Sequence, residues 1–139
     1  MNKKHIEKEV GEVVRKSGLY QTAAWGKKDQ PDFLNQVIIV NTNKLAAEVL
    51  QLILSIEEQM GRVRTEKNAP RIIDIDILFF NKEIILQHEL IVPHPEIQNR
   101  RFVLIPLNEL SPNLKHPVLN KSIHYLLGIC KDKLNVKRF

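Results

Sequence analysis

The sequence predicts an α+β fold, a ferredoxin-like antiparallel sheet with helices packed on it as a three-layer α/β/α sandwich. Three observations carry this expectation. Stretches rich in β-branched and aromatic residues lie at 12–24, 33–40 and 72–80, the composition of strands. A single long helical pattern separates the second from the third, over 44–60. Strands linked both by short turns and by a helix call for hairpins together with crossovers. With 139 residues the chain is of a size to fold as one domain, 1–139, around its own core.

Taken in order, KHIEKEV at 4–10 reads as the end of a helix stopped by Gly11, glycine being common just past a helix C-terminus. The strand stretch from Glu12 to Ala24 contains Gly18 as a possible bulge, since glycine inside a strand weakens the ladder. WGKKDQPD at 25–32 gathers Gly, Pro and Asp as a loop. Phe33 to Val40 is then the antiparallel partner of the first strand. Asn43 is a candidate N-cap for a helix over Lys44–Met60, with Leu45, Val49, Leu52, Ile53, Ile56 and Met60 at helical spacing and Gly61 as its stop.

Beyond a basic loop, a strand at 72–80 and a weaker one at 83–86 are expected to form a hairpin through Asn81-Lys82. A Pro-punctuated turn, VPHP, leads into a helix from Glu96 or Arg101 to Leu110, ended before Pro112. A helix near 122–130 and a short strand near 134–137 close the chain. No repeat, linker or low-complexity tract interrupts this order.

Composition narrows the class. One cysteine, Cys130, inside the apolar run HYLLGIC, excludes a disulfide framework and fits a reducing cytoplasm. No apolar run reaches the roughly 20 residues of a membrane span, and MNKKHIEKEV has no apolar signal core. A soluble cytoplasmic monomer is expected. The formal charge of +5 suits an anionic ligand but is too mild to indicate nucleic acid, and no zinc-finger, RNP-like or helix-turn-helix pattern occurs.

The chemistry concentrates in GRVRTEKNAPRIIDIDILFF at 61–80. Alternation places Asp74 and Asp76 on one face of the strand and Ile73, Ile75 and Ile77 on the other. The five glycines make neither GxxxxGK[ST] nor GxGxxG, so a nucleotide would be held by side chains and metal. Asp74 and Asp76 can hold or bridge Mg²⁺, while Arg62, Arg64, Lys67 and Arg71 can clamp phosphates. An alternating pair of aspartates alone is also what an ordinary solvated strand face looks like.

KNAPRIIDIDIL at 67–78 resembles the signature of the 6-hydroxymethyl-7,8-dihydropterin pyrophosphokinase family, also called 2-amino-4-hydroxy-6-hydroxymethyldihydropteridine diphosphokinases. Supporting blocks are YQTAAWGKKDQPDFLN at 20–35, EEQMGRVR at 57–64 and VPHPEIQNRRFVLIPL at 92–107. The resemblance implies transfer of pyrophosphate from ATP to a pterin alcohol in folate biosynthesis, with AMP released and two Mg²⁺ ions held by Asp74 and Asp76. It makes Arg62, Arg71, Asp74 and Asp76 the catalytic set. Glu57, Arg64, Arg71, Ile77, His94 and Arg100 are implied on the ATP side. Thr22, Ala23, Trp25, Phe33, Asn35 and Phe102 are implied around the pterin, with Phe33 and Phe102 sandwiching it and the Asn35 amide reading its edge. Without the resemblance, Phe33 and Phe102 would be ordinary core aromatics and His94 a turn residue.

The family pattern also includes an apolar first strand and a Gly-Ser-Asn type turn, neither of which precedes residue 4 here. The expectation is an open apolar groove with unpaired backbone edges where that strand would lie. It leaves a second reading, a non-catalytic ATP- or pterin-binding homologue lacking the N-terminal strand. A third is a basic RNA-binding module of ferredoxin-like shape, which would show steeply salt-dependent binding.

Overall fold

The computed structural model describes residues 3–22, 33–63 and 74–139, apart from the side chains of residues 3, 62 and 63. Helix α1 (Lys3–Glu9) ends where the Val10 and Gly11 amides both donate to the Ile6 carbonyl, at 2.8 and 3.2 Å. Glycine is required at 11 for a packing reason, because a Cβ there would run into the Asn41 carbonyl oxygen. The predicted first strand is two strands, β1 (Glu12–Lys16) and β2 (Tyr20–Thr22), and its partner is likewise β3 (Phe33–Asn35) and β4 (Ile38–Asn41). The antiparallel pairing holds on both sides of the break, with Val13 opposite Val40 and Tyr20 opposite Asn35. At the break Ser17 keeps the two chains together. Its amide donates to the Val37 carbonyl at 2.8 Å and its hydroxyl accepts from the Val37 amide at 3.0 Å.

Helix α2 (Ala46–Val63) begins two residues later than expected and runs through Gly61. Thr42 rather than Asn43 organises its start, accepting from the Lys44 amide at 3.1 Å, while Glu48 reaches back to the Leu45 amide at 3.2 Å. Leu45 therefore precedes the helix and stays exposed. A glycine costs only about 1 kcal/mol inside a helix, which flanking turns readily offset.

The segment expected as a strand at 72–80 is not one over its described part. Residues 74–80 are in no regular ladder. The Leu78 carbonyl accepts from the His94 amide at 2.9 Å and the Phe80 carbonyl from the Glu83 amide at 3.0 Å. Alternation fixes which face a side chain takes, but a ladder also needs a neighbouring chain in register. The expected hairpin through Asn81-Lys82 fails for the same reason. Asn81 does make a turn, at φ 54°, yet β5 (Ile85–Leu86) pairs with β6 (Ile91–Val92) instead.

A 3₁₀ turn (Ile97–Asn99) leads into α3 (Arg101–Leu110), followed by α4 (Ile123–Ile129), capped by the Ser122 hydroxyl, and β7 (Val136–Arg138). The β7 strand joins β2 on the side away from β3, giving the order β3-β2-β7. The described strands thus form three small antiparallel sheets rather than one.

Two main cores lie on opposite faces of this strand layer. On one side α1 and α2 bury Ile6, Val10, Val49, Ile53 and Ile56 against Val13, Ile38, Val40, Ile75 and Ile77. On the other, α3 and α4 bury Leu104, Leu107, Ile123 and Leu126 with Ile97, against Val37, Leu78 and Phe79. Each such aliphatic side chain contributes about 1.5–3 kcal/mol on full burial, so both helix layers are firmly fixed to the strands. The α+β architecture with helices on antiparallel strands is the one expected. No described helix is long and apolar enough to cross a membrane.

Candidate active site

Asp74 and Asp76 are exposed while Ile75 and Ile77 are half-buried in the α1–α2 core. Immediately beyond them the segment turns to the other core, Leu78 and Phe79 both packing against the layer of α3 and α4. Between Asp74 and Asp76, the Ile75 amide donates to Glu57 Oε2 of α2 at 2.7 Å. Glu57 thus holds the backbone link that joins the two aspartates. Two residues past Asp76, Leu78 is tied through its carbonyl to His94. The His94 ring accepts from the Glu96 amide at Nδ1, at 3.1 Å. A neutral ring so engaged carries its proton on Nε2, where it can donate to a ligand.

The start of α3 brings two more predicted residues together. Arg100 occupies the extended N-cap position, and its guanidinium carbon lies 5.8 Å from the Phe102 ring centroid. The Arg101 amide donates to Asp132 Oδ2 at 3.0 Å, so a carboxylate 31 residues away satisfies this helix end. Pro106 inside α3 has no amide to give the Phe102 carbonyl.

Register in the three-stranded sheet gathers the remaining described candidates. Thr22 lies opposite Phe33 and Tyr20 opposite Asn35, so all four share one face. That face looks toward α3, because the Tyr20 hydroxyl donates to Glu109 of α3 at 2.6 Å. Thr22 is buried, and its hydroxyl oxygen has no hydrogen-bond partner among the described residues. Ala23, Trp25, Arg64 and Arg71 lie outside the described residues, as does the side chain of Arg62. Ile77 packs against two cores, beside Phe80 in both.

Two exposed carboxylates two residues apart fit a small hard cation, which takes one or two carboxylates and completes its shell with phosphate and water. No group of three or more potential ligands stands together among the described residues.

Comparison with known proteins decides the family. The pattern of the 7,8-dihydro-6-hydroxymethylpterin-pyrophosphokinase family, HPPK, matches residues 2–112. The chain belongs to this family. A 2-amino-4-hydroxy-6-hydroxymethyldihydropteridine pyrophosphokinase of Aquifex aeolicus is 41% identical over 122 residues, 86% of this chain and 76% of that protein. One of Synechocystis is 39% identical over 116 residues, 84% of this chain. The chain spans 59% of the length of that Synechocystis relative. The HPPK-DHPS crystal structure from Plasmodium falciparum shares the fold, with a TM-score of 0.69 at 22% identity over 89% of this chain and 38% of that one.

Within the HPPK framework, the contacts that sequence reasoning missed are tertiary ones. Glu57 is expected on the ATP side, and in the structure its carboxylate accepts from the Ile75 amide. Glu109 and Asp132 lie outside every block that carries the resemblance, and Tyr20 opens the block at 20–35 without a role implied for it. The one available hint was Tyr20 itself, two residues before Thr22 on the same strand face.

Proposed function

We propose that this chain transfers pyrophosphate from ATP to 6-hydroxymethyl-7,8-dihydropterin, using two Mg²⁺ ions and releasing AMP. The observation that carries the reading is that Asp74 and Asp76 are exposed in a segment whose Leu78 and Phe79 pack on the core of α3 and α4, and that Thr22, Phe33 and Asn35 face the same α3. Metal bound at Asp74 and Asp76 would neutralise phosphate charge and polarise the transferring group. Phe33 and Phe102 would hold the flat pterin between them, with Asn35 and the Thr22 hydroxyl, which has no partner among the described residues, at its polar edge. Arg100 and His94 would meet nucleotide phosphates or ribose, the guanidinium as a fork and the imidazole through Nε2. The arginines at 62, 64 and 71 complete the phosphate clamp in this reading, and Glu57 fixes the spacing of the aspartate pair.

With both substrates aligned, the hydroxymethyl oxygen bonds to the β-phosphorus as the bond from that phosphorus to the α,β-bridging oxygen breaks. AMP leaves with that oxygen, and the hydroxyl proton passes to solvent. Alignment and charge neutralisation supply the acceleration, with no covalent enzyme intermediate.

The test is AMP formation assayed with Mg²⁺ and hydroxymethyl-dihydropterin each present and omitted. Turnover is expected only with both, and Asp74→Ala and Asp76→Ala are each expected to lower it by roughly a hundredfold or more. Full activity in both variants would remove the metal assignment. Binding of both substrates without turnover would favour a binding homologue instead.

A further inference from the structure

We propose that Tyr20 and Glu109 form a clamp that sets the width of the pterin slot, making both positioning residues for the acceptor. The inference rests on the pterin reading above. Phe102 and Glu109 are seven residues apart on α3, two helical turns, so they lie on one stripe roughly 10 Å apart along the axis. Tyr20 shares its strand face with Thr22, Phe33 and Asn35. A bond between Tyr20 and Glu109 therefore ties the stripe carrying Phe102 to the sheet face carrying the other slot residues.

The tie is well made. Tyr20 is buried at 7% exposure, and its hydroxyl meets Glu109 Oε1 at 2.6 Å, the short range of a hydrogen bond to a charged acceptor. The Gly18 amide donates to the same carboxylate, 3.2 Å from Oε1 and 3.3 Å from Oε2. Arg138 of β7 closes the group, its Nη1 3.6 Å from Glu109 Oε1 and its guanidinium carbon 5.9 Å from the Tyr20 ring centroid. Gly18 makes room for this, since a Cβ there would sit 2.8 Å from Arg138 Nη2. Elsewhere on α3 the polar ties are to other segments: Arg15 holds the Leu110 carbonyl at 2.8 Å, and Asp132 holds the Arg101 amide.

A sandwiched ring system needs its two aromatic walls roughly 7 Å apart, twice a van der Waals contact of about 3.5 Å, and a gap of 0.5–1 Å forfeits a quarter to a half of that attraction. Loss of the clamp would leave the middle of α3 resting on the β2 face by apolar contacts, with the ties to Asp132 and Arg15 remaining at its two ends. The consequence falls on the pterin and spares the nucleotide, whose charged contacts tolerate small shifts.

The experiment titrates wild type, Tyr20→Phe and Glu109→Gln by calorimetry, first with a non-hydrolysable ATP analogue plus Mg²⁺, then with hydroxymethylpterin at saturating analogue. Thermal unfolding is followed in parallel. Tyr20→Phe, which keeps the ring and loses only the hydroxyl, is expected to weaken pterin binding by roughly tenfold and leave the analogue within about twofold. Glu109→Gln retains an amide oxygen for Tyr20 and should show a smaller loss. Pterin affinity unchanged in a Tyr20→Phe protein of lowered melting temperature would make the contact purely structural and overturn the clamp. An equal loss for both ligands would do the same. Analogue binding without any pterin binding in wild type would overturn the acceptor assignment, and the clamp's role with it.

Discussion

At the scale of single residues, the alternation of 74–77 was legible in the sequence because a period of two needs no knowledge of neighbours. The aspartates are exposed and the isoleucines half-buried, as the pattern requires. The bond that Glu57 makes was not legible, because its partner is a backbone amide 18 residues away, brought near only by the packing of α2 on this segment. That contact makes a prediction. Glu57→Ala leaves the Ile75 amide without its acceptor, at a cost of about 1–3 kcal/mol if the amide stays shielded from water. The aspartate pair then loses its fixed spacing, so the Mg²⁺ concentration giving half-maximal turnover is expected to rise by roughly tenfold. Glu57→Gln keeps an acceptor oxygen and should retain most of the wild-type response. If Glu57→Ala instead weakened ATP binding with an unaltered Mg²⁺ profile, the carboxylate would belong to the adenosine side.

Among the elements, helices were read more closely than strands. Capping and periodicity are local, so α3 and α4 lie within a residue or two of their expected limits, while α2 differs by the reach of Thr42 and Glu48 at one end and tolerance of Gly61 at the other. Strand pairing is decided by distant partners, which explains why β5 chose β6 over the segment before it. Gly11 illustrates the difference. It was read as a helix stop, and it does follow α1, but the structure also uses its missing side chain to let the chain pass the Asn41 carbonyl. A mere stop would tolerate alanine cheaply, and loss of backbone freedom in the unfolded chain would even stabilise by about 0.4–1 kcal/mol. The close approach reverses the sign. Gly11→Ala is expected to destabilise by on the order of 1–3 kcal/mol, read as a lower urea midpoint at unchanged slope. An unchanged or raised midpoint would show that β4 can give way.

For the whole molecule, the layered arrangement followed from patterning, since alternating apolar residues facing two ways require a helix layer on each side. Its division into three sheets did not follow, because edges are set by which chains meet. The polar contacts that join layers define a pH window for stability. His116 is buried at 4% exposure, its Nδ1 accepts from the Val118 and Leu119 amides, and its ring meets the edge of Phe79. Burial lowers its pKa from 6.5, so the unfolded chain takes up the proton first, and stability falls as pH drops below about 6.5. Glu109 extends the loss. The hydrogen bond from Tyr20 holds its pKa below 4.5, and that contribution, present above 4.5, disappears as pH falls through the folded value. Tyr20 works in the other direction. Its bond to Glu109 raises its pKa above 10.0, so the contribution is intact below 10 and is lost as pH rises from there through the folded value. Stability against urea is therefore expected to be flat between about pH 6.5 and 10 and to decline on both sides. Tyr20→Phe should lower the plateau while removing part of the alkaline decline, because the ionising hydroxyl is gone. His116→Gln should lower it while flattening the decline just below pH 6.5. Alkaline declines of equal steepness in wild type and Tyr20→Phe would mean that the hydroxyl is no more protected in the folded chain than in the unfolded one, which the 2.6 Å bond to Glu109 does not allow.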